Sequence, residues 1–371
     1  MAFPFRAPLK THAGSGIIEV NGGDTMEQLG IFSSARRERK LSDLGDNLEQ
    51  LNQIINWEMF RATLERAVRK EAKGPGGRRR FDVVMMFKIL VLARLFNLSD
   101  DQTEYQINDR ISFMRFLDLG LNSTIPDAKT IWLFRETLKN AGIMEDLFAQ
   151  FNALLEQKGL ITREGTIVDA TFVEAPKQRN HREENQAIKA GKVPEEWQQP
   201  ENRHKLAQKD TDARWTKKNN QTYYGYKDHV KADAKSKLIT NYSVTNAAVN
   251  DNQEFVGLLK QNDGLLYGDC AYVGKKFVEQ FPEGVTSMIH EKAEKNRPLT
   301  EAQKASNREK SRIRCRIEHI FGYMTGAMRG ITVRSIGLAR AKFNIGMMNL
   351  VYNLCRYSFL VRPRQAQPAR G

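Results

Sequence analysis

The chain has 371 residues, enough to bury a sizeable core and to form two or three domains. Its 58 Lys and Arg residues outnumber its 44 Asp and Glu residues, which gives a formal net charge of +14. This balance favours a polyanionic partner, either nucleic acid or an anionic membrane surface, and argues against basic substrates.

The cysteines and the apolar segments exclude several further classes of protein. Cys270, Cys315 and Cys355 are far apart and include no CxxC pair. They predict neither a disulfide framework nor a zinc site, and they indicate a reducing compartment. The chain shows no secretory signal, and polar residues interrupt its apolar segments at 81–96 and 343–361. We therefore predict core helices there rather than membrane spans.

The first residues with a regular pattern follow a Gly-rich stretch. Residues 1–33 are predicted to be disordered, and either Met1 or Met26 can be the start of the protein. Apolar residues then recur at spacings of 3, 4, 3 and 4 at Leu41, Leu44, Leu48, Leu51 and Ile55. This spacing predicts a helix, which either packs in a domain core or forms a dimer seam. We favour the core because the pattern lasts only two heptads and contains Gly45.

Residues 34–158 are predicted to form a helical domain. A helix over 81–96 is followed by Ser99, which is placed to begin a capping box, and Asp127 is placed to cap a later helix. That later helix presents Lys129 and Arg135. Short helices joined by tight turns are typical of a helix-turn-helix-like DNA-binding domain, and also of an ordinary bundle with a charged face.

From residue 159 onward the pattern indicates an α/β domain that extends to residue 361. A polar segment at 175–220 is predicted to be a long, partly flexible insertion, and residues 362–371 form a basic tail. Strands are predicted at 165–173, 223–233, 238–249, 264–268 and 285–290, and short helices at 252–260 and 274–280. This order, followed by a long helix, predicts a mixed sheet with helices packed on it.

Residues 307–328 combine two periodicities. Basic residues alternate with other residues, as in a strand, whereas apolar residues recur at helical spacing from Ile313 to Met328. We predict a helix because the apolar pattern persists longer. Glu318 then lies at the edge of the buried stripe, one turn after Arg314.

Three acidic residues are candidates for a metal site. Asp169 interrupts a β-rich run, Asp269 directly follows a predicted strand, and Glu318 lies in the basic helix. Converging carboxylates form an all-oxygen site suited to Mg²⁺ or Mn²⁺, and two such ions can promote phosphodiester chemistry. From the residues alone, Asp269 can also be a turn residue and Glu318 a surface partner of Arg314.

Several segments together carry a specific resemblance. They include FDVVMMFKILVLARLFNLSDDQTEYQINDRISFMRFLDL and PDAKTIWLFRETL in the first part of the chain. The second part contains IVDATFVEAP, DARWTKKNNQTYYGYKDHV, YGDCAY and RIRCRIEHIFG. With these segments the chain resembles bacterial insertion-sequence transposases of the DDE type, specifically the insertion-sequence-five family of the insertion-sequence-four-like superfamily.

The resemblance implies an RNase H-like mixed-sheet catalytic domain preceded by an all-α DNA-binding domain. It identifies Asp169, Asp269 and Glu318 as the catalytic, metal-binding triad, with two Mg²⁺ ions for which Mn²⁺ can substitute. Arg314 matches the family's phosphate-binding arginine. Ser311 and Thr325 stand where the family usually has Tyr and Lys.

Further DNA-binding candidates mix aromatic and basic side chains near the predicted active-site strands. These residues are Trp215, Lys217, Lys218, Tyr224 and Lys227, and they join Lys129, Arg135 and Arg314 as predicted DNA contacts. Ordinary aromatic packing in a hairpin is the alternative for Trp215 and Tyr224. His229 and His319 are interpreted as structural residues rather than metal ligands.

The implied function is that of a transposase that binds the terminal inverted repeats of its element and catalyses strand cleavage and strand transfer. Its expected partners are double-stranded DNA, as transposon ends and target, and further copies of itself in a homodimer or larger synaptic complex. We expect a bacterial cytoplasmic, nucleoid-associated protein with no membrane partner. Two alternatives stay open: a structure-selective nuclease on the same fold, and a DNA-binding regulator whose catalytic site has decayed.

Overall fold

The computed structural model describes residues 33–69, 80–218, 220–269, 279–293 and 298–362. The chain divides into two compact units, Met1–Gly45 and Asp46–Gly371, and the described part of the first unit contains helix α1 (Ser33–Asp43). The predicted disordered segment, the predicted helix at 274–280 and the predicted basic tail lie wholly or largely outside the described residues.

The second unit begins with a helical region. The side chains of Asp46, Asp82, Ser99 and Asp127 each accept a hydrogen bond from a backbone N–H in the first turn of a helix. The predicted caps at Ser99 and Asp127 are therefore confirmed. The helices are α2 (Asn47–Ile54), α3 (Arg61–Val68), α4 (Val83–Leu95), α5 (Asp100–Asp109), α6 (Ile111–Phe116), α7 (Ala128–Asn140) and α8 (Met144–Gln157), with a 3-10 turn at Trp57–Phe60.

The prediction of one continuous helix through the early leucines is wrong. Helix α1 ends at Asp43, and Gly45 has a φ of +86°, a left-handed conformation that glycine adopts without a steric penalty. Leu48 and Leu51 are buried in α2, as the spacing predicts, whereas Leu44 is 75% exposed. The glycine therefore interrupts the apolar stripe.

A mixed sheet forms the centre of the second half of the chain. Its strand order is β2–β3–β1–β5–β6, and β4 pairs with β3. Strand β1 is antiparallel to β3 and parallel to β5, which is parallel to β6. The strands are β1 (Gly165–Glu174), β2 (Arg214–Lys218), β3 (Gln221–Asp233), β4 (Ile239–Asn246), β5 (Gly264–Tyr267) and β6 (Val285–Ser287). The five predicted strands are confirmed, and β2 is additional.

The polar segment predicted as an insertion has regular structure of its own. It contains α9 (Arg182–Lys189), α10 (Glu195–Gln198) and α11 (Arg203–Gln208) before it joins the sheet as β2. Trp197 is fully buried, and its indole N–H donates a hydrogen bond to Glu184 at 2.9 Å. One large aromatic side chain thus organises a segment that is otherwise polar.

Four described helices follow in the remaining chain: α12 (Asp251–Leu258), α13 (Glu301–Arg314), α14 (Arg316–Thr325) and α15 (Leu338–Val361). The single helix predicted over 307–328 is therefore divided at Cys315. The apolar stripe is nevertheless correct, since Ile317, Ile320 and Met324 are buried in α14. The amino-terminal half of the predicted helix lacks buried residues and belongs to α13.

The two faces of the sheet are covered by different helices. Ile167 belongs to the main hydrophobic core, whereas the next residue, Val168, packs in a smaller cluster with Phe255 of α12. Side chains alternate between the faces of a strand, so Asp169 shares the face of Ile167. Helix α14 packs against β1 and places its residues near Asp169.

The longest described helix, α15, directs polar residues of the apolar segment 343–361 toward the β3–β4 hairpin. Asn353 exchanges two hydrogen bonds with the backbone of Ile239, at 2.9 and 2.8 Å, and Arg356 donates to the carbonyl of Ser236. These contacts confirm a core helix. Among the described helices, none is both long and apolar enough to span a membrane. The predicted α/β class, with an RNase H-like mixed sheet preceded by helices, is confirmed.

Candidate active site

Two acidic residues lie just beyond the residues that pair two neighbouring parallel strands, Asp169 within β1 and Asp269 after β5. Ile167 of β1 pairs with Tyr267 of β5, and Asp169 and Asp269 each lie two residues further along the chain. Parallel strands have their carboxyl ends at the same edge of the sheet, where ligands of open α/β sheets commonly bind. The parallel register therefore brings Asp169 and Asp269 to one edge.

Arg314 joins the sheet to the helix that carries the third acid. Its Nη1 donates to Asp169 Oδ2 at 3.2 Å, and its Nη2 donates to Glu318 Oε1, also at 3.2 Å. Arg314 and Glu318 are four residues apart, and this spacing survives the division at Cys315. The Glu318 side chain is 63% exposed, which leaves its carboxylate open to solvent.

The environment of Asp169 combines burial with charges of both signs. Burial raises the pKa of the Asp169 carboxyl, and the negative charge of Asp269 raises it further. The backbone N–H of Ala170, which donates to Asp169 Oδ1 at 2.8 Å, opposes this increase in the pKa. The charges of Arg314 and Lys218 oppose it as well. Asp169 is therefore within electrostatic reach of Asp269 and of the end of β2.

His290 lies beside this site, although the sequence did not single it out. It follows β6, the next parallel strand, and its backbone N–H donates to the carbonyl of Gly268. Burial lowers the pKa of His290, with Arg314 acting in the same direction and Asp269 against it. Its Nε2 is 3.1 Å from the hydroxyl of Ser311. The sequence did contain a signal for His290, because it is the last residue of the predicted strand at 285–290. The last residue of a strand parallel to β5 reaches the sheet edge where Asp269 lies.

The aromatic and basic candidates on β2 and β3 divide into exposed and buried residues. Trp215, Lys217 and Lys218 are exposed on β2. Tyr224 is only 4% exposed and packs against Trp215, with ring centroids 4.8 Å apart. Lys227 is 8% exposed and donates to Asp251 and to the carbonyl of Val249. In this conformation Tyr224 and Lys227 support the sheet, and β2 presents the accessible side chains.

The candidates on α7 also differ from one another. Lys129 is exposed. Arg135 is partly buried and forms two hydrogen bonds with Asp100, at 2.6 and 2.7 Å. The Asp100 carboxylate neutralises this guanidinium, so Arg135 does not offer a free charge in the present arrangement.

The carboxylates provide the oxygen ligands that Mg²⁺ and Mn²⁺ prefer. Within the described ranges, no three His, Cys, Asp or Glu residues lie close enough together to hold a metal ion. The Arg314 guanidinium lies between two of the candidate ligands, Asp169 and Glu318. The donor types thus fit a divalent cation, and sharing one ion between these two acids requires Arg314 to move.

The two histidines that the sequence analysis interpreted as structural have different environments. His229 is buried, and its Nε2 lies 2.8 Å from the hydroxyl oxygen of Thr245, whereas His319 is exposed.

Comparison with known proteins identifies two matching family models. Residues 161–354, more than half of the chain, match the model described as "Transposase DDE domain". Residues 36–137 match the model described as "Transposase domain (DUF772)". The first match covers β1 to β6 and most of α15, and it includes Asp169, Asp269 and Glu318.

A solved structure of the piggyBac transposase synaptic complex with hairpin DNA is also similar to the chain. The similarity covers 84% of this chain and 73% of that one, with 10% sequence identity and a TM-score of 0.39. The family matches agree with the mixed sheet preceded by helices. The chain therefore belongs to the transposase DDE domain family, and it is a DNA transposase that cleaves and joins DNA strands.

Proposed function

We propose that Asp169, Asp269 and Glu318 are the catalytic carboxylates of this transposase. The supporting observation is the contact of one guanidinium, that of Arg314, with both Asp169 and Glu318. This contact connects the middle of β1 to α14, while the parallel register brings Asp269 near Asp169. The substrates in this proposal are the terminal inverted repeats of the transposon and a target duplex.

Divalent metal ions, Mg²⁺ or Mn²⁺, would be held by these three carboxylates, and we propose two such ions. When bound, they activate the attacking oxygen and stabilise the leaving oxygen of a phosphodiester. In our proposal, Arg314 leaves the carboxylates and binds a DNA phosphate, which a planar guanidinium can do through two hydrogen bonds. The acids then lose their cationic partner at the moment when metal ions can replace it.

The exposed side chains of β2 are proposed to hold the DNA near the carboxylates. Lys218 acts electrostatically on Asp169, and its Nζ lies 5.9 Å from the ring centroid of Phe172. Lys217 and Trp215 complete this exposed edge. Lysines that contact phosphates release counterions when DNA binds. The double variant Lys217→Ala/Lys218→Ala should therefore weaken binding and reduce the slope of log K against log salt by about two, one for each lost phosphate contact. Lys304→Ala, in an exposed ion pair with Glu301, is the control.

The catalytic assignment is tested by a strand-transfer assay. The protein is incubated with Mg²⁺, a target plasmid and a DNA fragment that carries the inverted repeats flanking its gene. We expect Asp269→Asn and Glu318→Gln each to reduce joined products at least about a hundredfold, since the loss of a metal ligand removes several kcal/mol of stabilisation. Both variants should still bind the fragment.

The matched control is Glu301→Gln, which removes an acid that is 83% exposed on α13. It should retain full activity. Joined products from Asp269→Asn at the wild-type level would contradict the assignment of the acids. Cleaved but unjoined DNA from the wild-type protein would indicate a nuclease instead. A homodimer or larger complex, which is also proposed, should appear by light scattering when two transposon ends are added.

A further inference from the structure

A cleft of about 410 Å³, whose lining does not include the candidate carboxylates, lies between the helical region and residues 332–347. Its walls come from the end of α4, from α7, from residues 332–336 and from the start of α15. Arginine side chains dominate the charged groups in its lining: Arg94, Arg135, Arg334 and Arg340. We call it the Arg94–Arg334 cleft.

Two of these arginines are neutralised by acids. Arg135 forms a bidentate pair with Asp100. Arg340 donates to both carboxylate oxygens of Glu136, at 2.8 and 2.9 Å, and Lys139 donates to the same acid. The acids that line the cleft are thus already engaged, and they do not compensate the other two guanidinium groups.

Arg94 and Arg334 bond to neutral groups. Arg94 donates to the carbonyls of Thr332 and Gly330, at 3.0 and 2.7 Å. Arg334 donates to the side chain and the backbone carbonyl of Asn97, at 2.8 and 3.0 Å. Within the described residues, neither arginine forms an ion pair with an acid. Two positive charges therefore lie at one cleft without a negative partner.

The charge of Arg334 affects the ionisation of Arg94. Burial lowers the pKa of Arg94 to about 10, and the charge of Arg334 contributes to the decrease. Arg94 remains cationic at neutral pH, and its Nε is buried without a hydrogen-bond partner in the described structure. Arg334 is exposed and uses two of the five N–H donors that a guanidinium offers. An anion at the cleft would reduce the repulsion between the two guanidinium groups and would accept hydrogen bonds from their unused N–H donors.

We infer that the Arg94–Arg334 cleft binds a backbone phosphate of duplex DNA, as a second contact distinct from the carboxylate edge. A phosphate supplies the negative charge that the cleft lacks, and arginine recognises it through several hydrogen bonds. Trp132, 44% exposed on the cleft lining, offers an apolar surface to the adjacent deoxyribose. This inference rests on the proposed binding of DNA.

The position of the cleft gives this contact a structural consequence. Arg94 belongs to the region that matches the DUF772 transposase model, at 36–137, and Arg334 to the region that matches the DDE-domain model, at 161–354. Arg94 also holds the carbonyls of residues 330 and 332 directly. A phosphate bound here would contact both regions at once and would orient the duplex relative to the helices and the sheet.

The test measures binding of a labelled duplex of arbitrary sequence over a range of salt concentrations. We expect Arg334→Gln to weaken binding about five- to tenfold at low salt and to reduce the slope of log K against log salt by about one. Arg334→Lys should preserve most of the slope, because it keeps the charge. Asn97→Ala removes the side-chain acceptor of Arg334 and should also preserve the slope, which separates the effect of the charge from that of this hydrogen bond.

The control is Arg163→Gln, which replaces a half-exposed arginine that is paired with Glu156 and lies just before β1. Its slope should equal that of the wild type. If the wild type binds DNA and Arg334→Gln has an unchanged slope and affinity, the cleft is not a phosphate site, and the proposed function stands. If the wild type does not bind the duplex at all, the proposed function and this inference both fail.

Discussion

Arg314 and Asp169 are 145 residues apart in the chain, and their side chains meet at 3.2 Å. The same guanidinium reaches Glu318 one helical turn later. The Arg314 guanidinium thus lies between two acids that we propose as ligands of a divalent metal ion. The positive charge of Arg314 opposes the rise in the pKa of Asp169 that burial causes.

Removal of the Arg314 charge should favour metal binding and impair catalysis. We expect Arg314→Gln, without DNA, to bind Mn²⁺ about five- to tenfold more tightly than the wild type, since about 1 kcal/mol of repulsion disappears. Strand transfer should fall because the phosphate contact is lost. Isothermal titration with Mn²⁺ measures the affinity. Arg312→Gln, an exposed arginine on the same helix, is the control and should leave it unchanged. Equal or weaker Mn²⁺ binding by Arg314→Gln would refute the competition.

Asp228 should make the stability of the fold depend on pH. It is fully buried on β3, accepts one hydrogen bond from Asn349 at 3.1 Å, and its pKa is raised by burial to about 7. Because the unfolded chain releases this proton near pH 4, the free energy of unfolding should fall as pH rises from about 4 to about 7. The fall should be at most about 4 kcal/mol.

Asp228→Asn tests this dependence, because the amide has no proton to release. The variant should gain stability relative to the wild type at pH 8 and gain little at pH 4, as measured by urea unfolding at both values. Asp109→Asn, which replaces an exposed acid on α5, should show no such difference. A gain for Asp228→Asn that is the same at both pH values would show that Asp228 does not titrate in this range.

Gly225 is required where β1 and β3 approach each other. Its φ is +145°, and a Cβ there would meet the carbonyl oxygen of Val173 and lie 2.8 Å from the backbone nitrogen of Ala175. Gly225→Ala should therefore lower the free energy of unfolding by at least about 3 kcal/mol. Gly257→Ala, in α12 where a Cβ meets nothing within 4 Å, should instead stabilise by about 0.5 to 1 kcal/mol. Chemical denaturation compares them, and equal effects would rule out the steric explanation.

Asn353 should contribute more to stability than its polarity suggests. Its amide satisfies both the N–H and the carbonyl of Ile239 inside the core. Asn353→Ala leaves both backbone groups buried without partners and should cost about 2 to 4 kcal/mol in thermal or urea unfolding. Lys342→Ala, exposed on the same helix, should change stability by less than about 0.5 kcal/mol. A loss below about 1 kcal/mol for Asn353→Ala would mean that water replaces the amide.

Local patterns were sufficient to predict most elements of the fold. Strand β1 follows from its run of apolar and β-branched residues, and the helix starts at Ser99 and Asp127 follow from their capping side chains. The acids Asp169 and Asp269 could be recognised because each stands at or after a strand. These signals depend on neighbours in the chain and on alternation, which a single sequence displays directly.

Only the tertiary structure decided how distant residues meet. Apolar spacing predicted two continuous helices that the structure divides, one at Gly45 and one at Cys315. Backbone geometry and packing override periodicity at these positions. Tyr224 and Lys227 are buried in the folded protein, where they stabilise the sheet instead of facing solvent. The parallel register of β1, β5 and β6 brought His290 to the candidate site. The packing of α14 against β1 placed Arg314 between two acids. Such contacts depend on chain topology, and local sequence carries no direct signal for them.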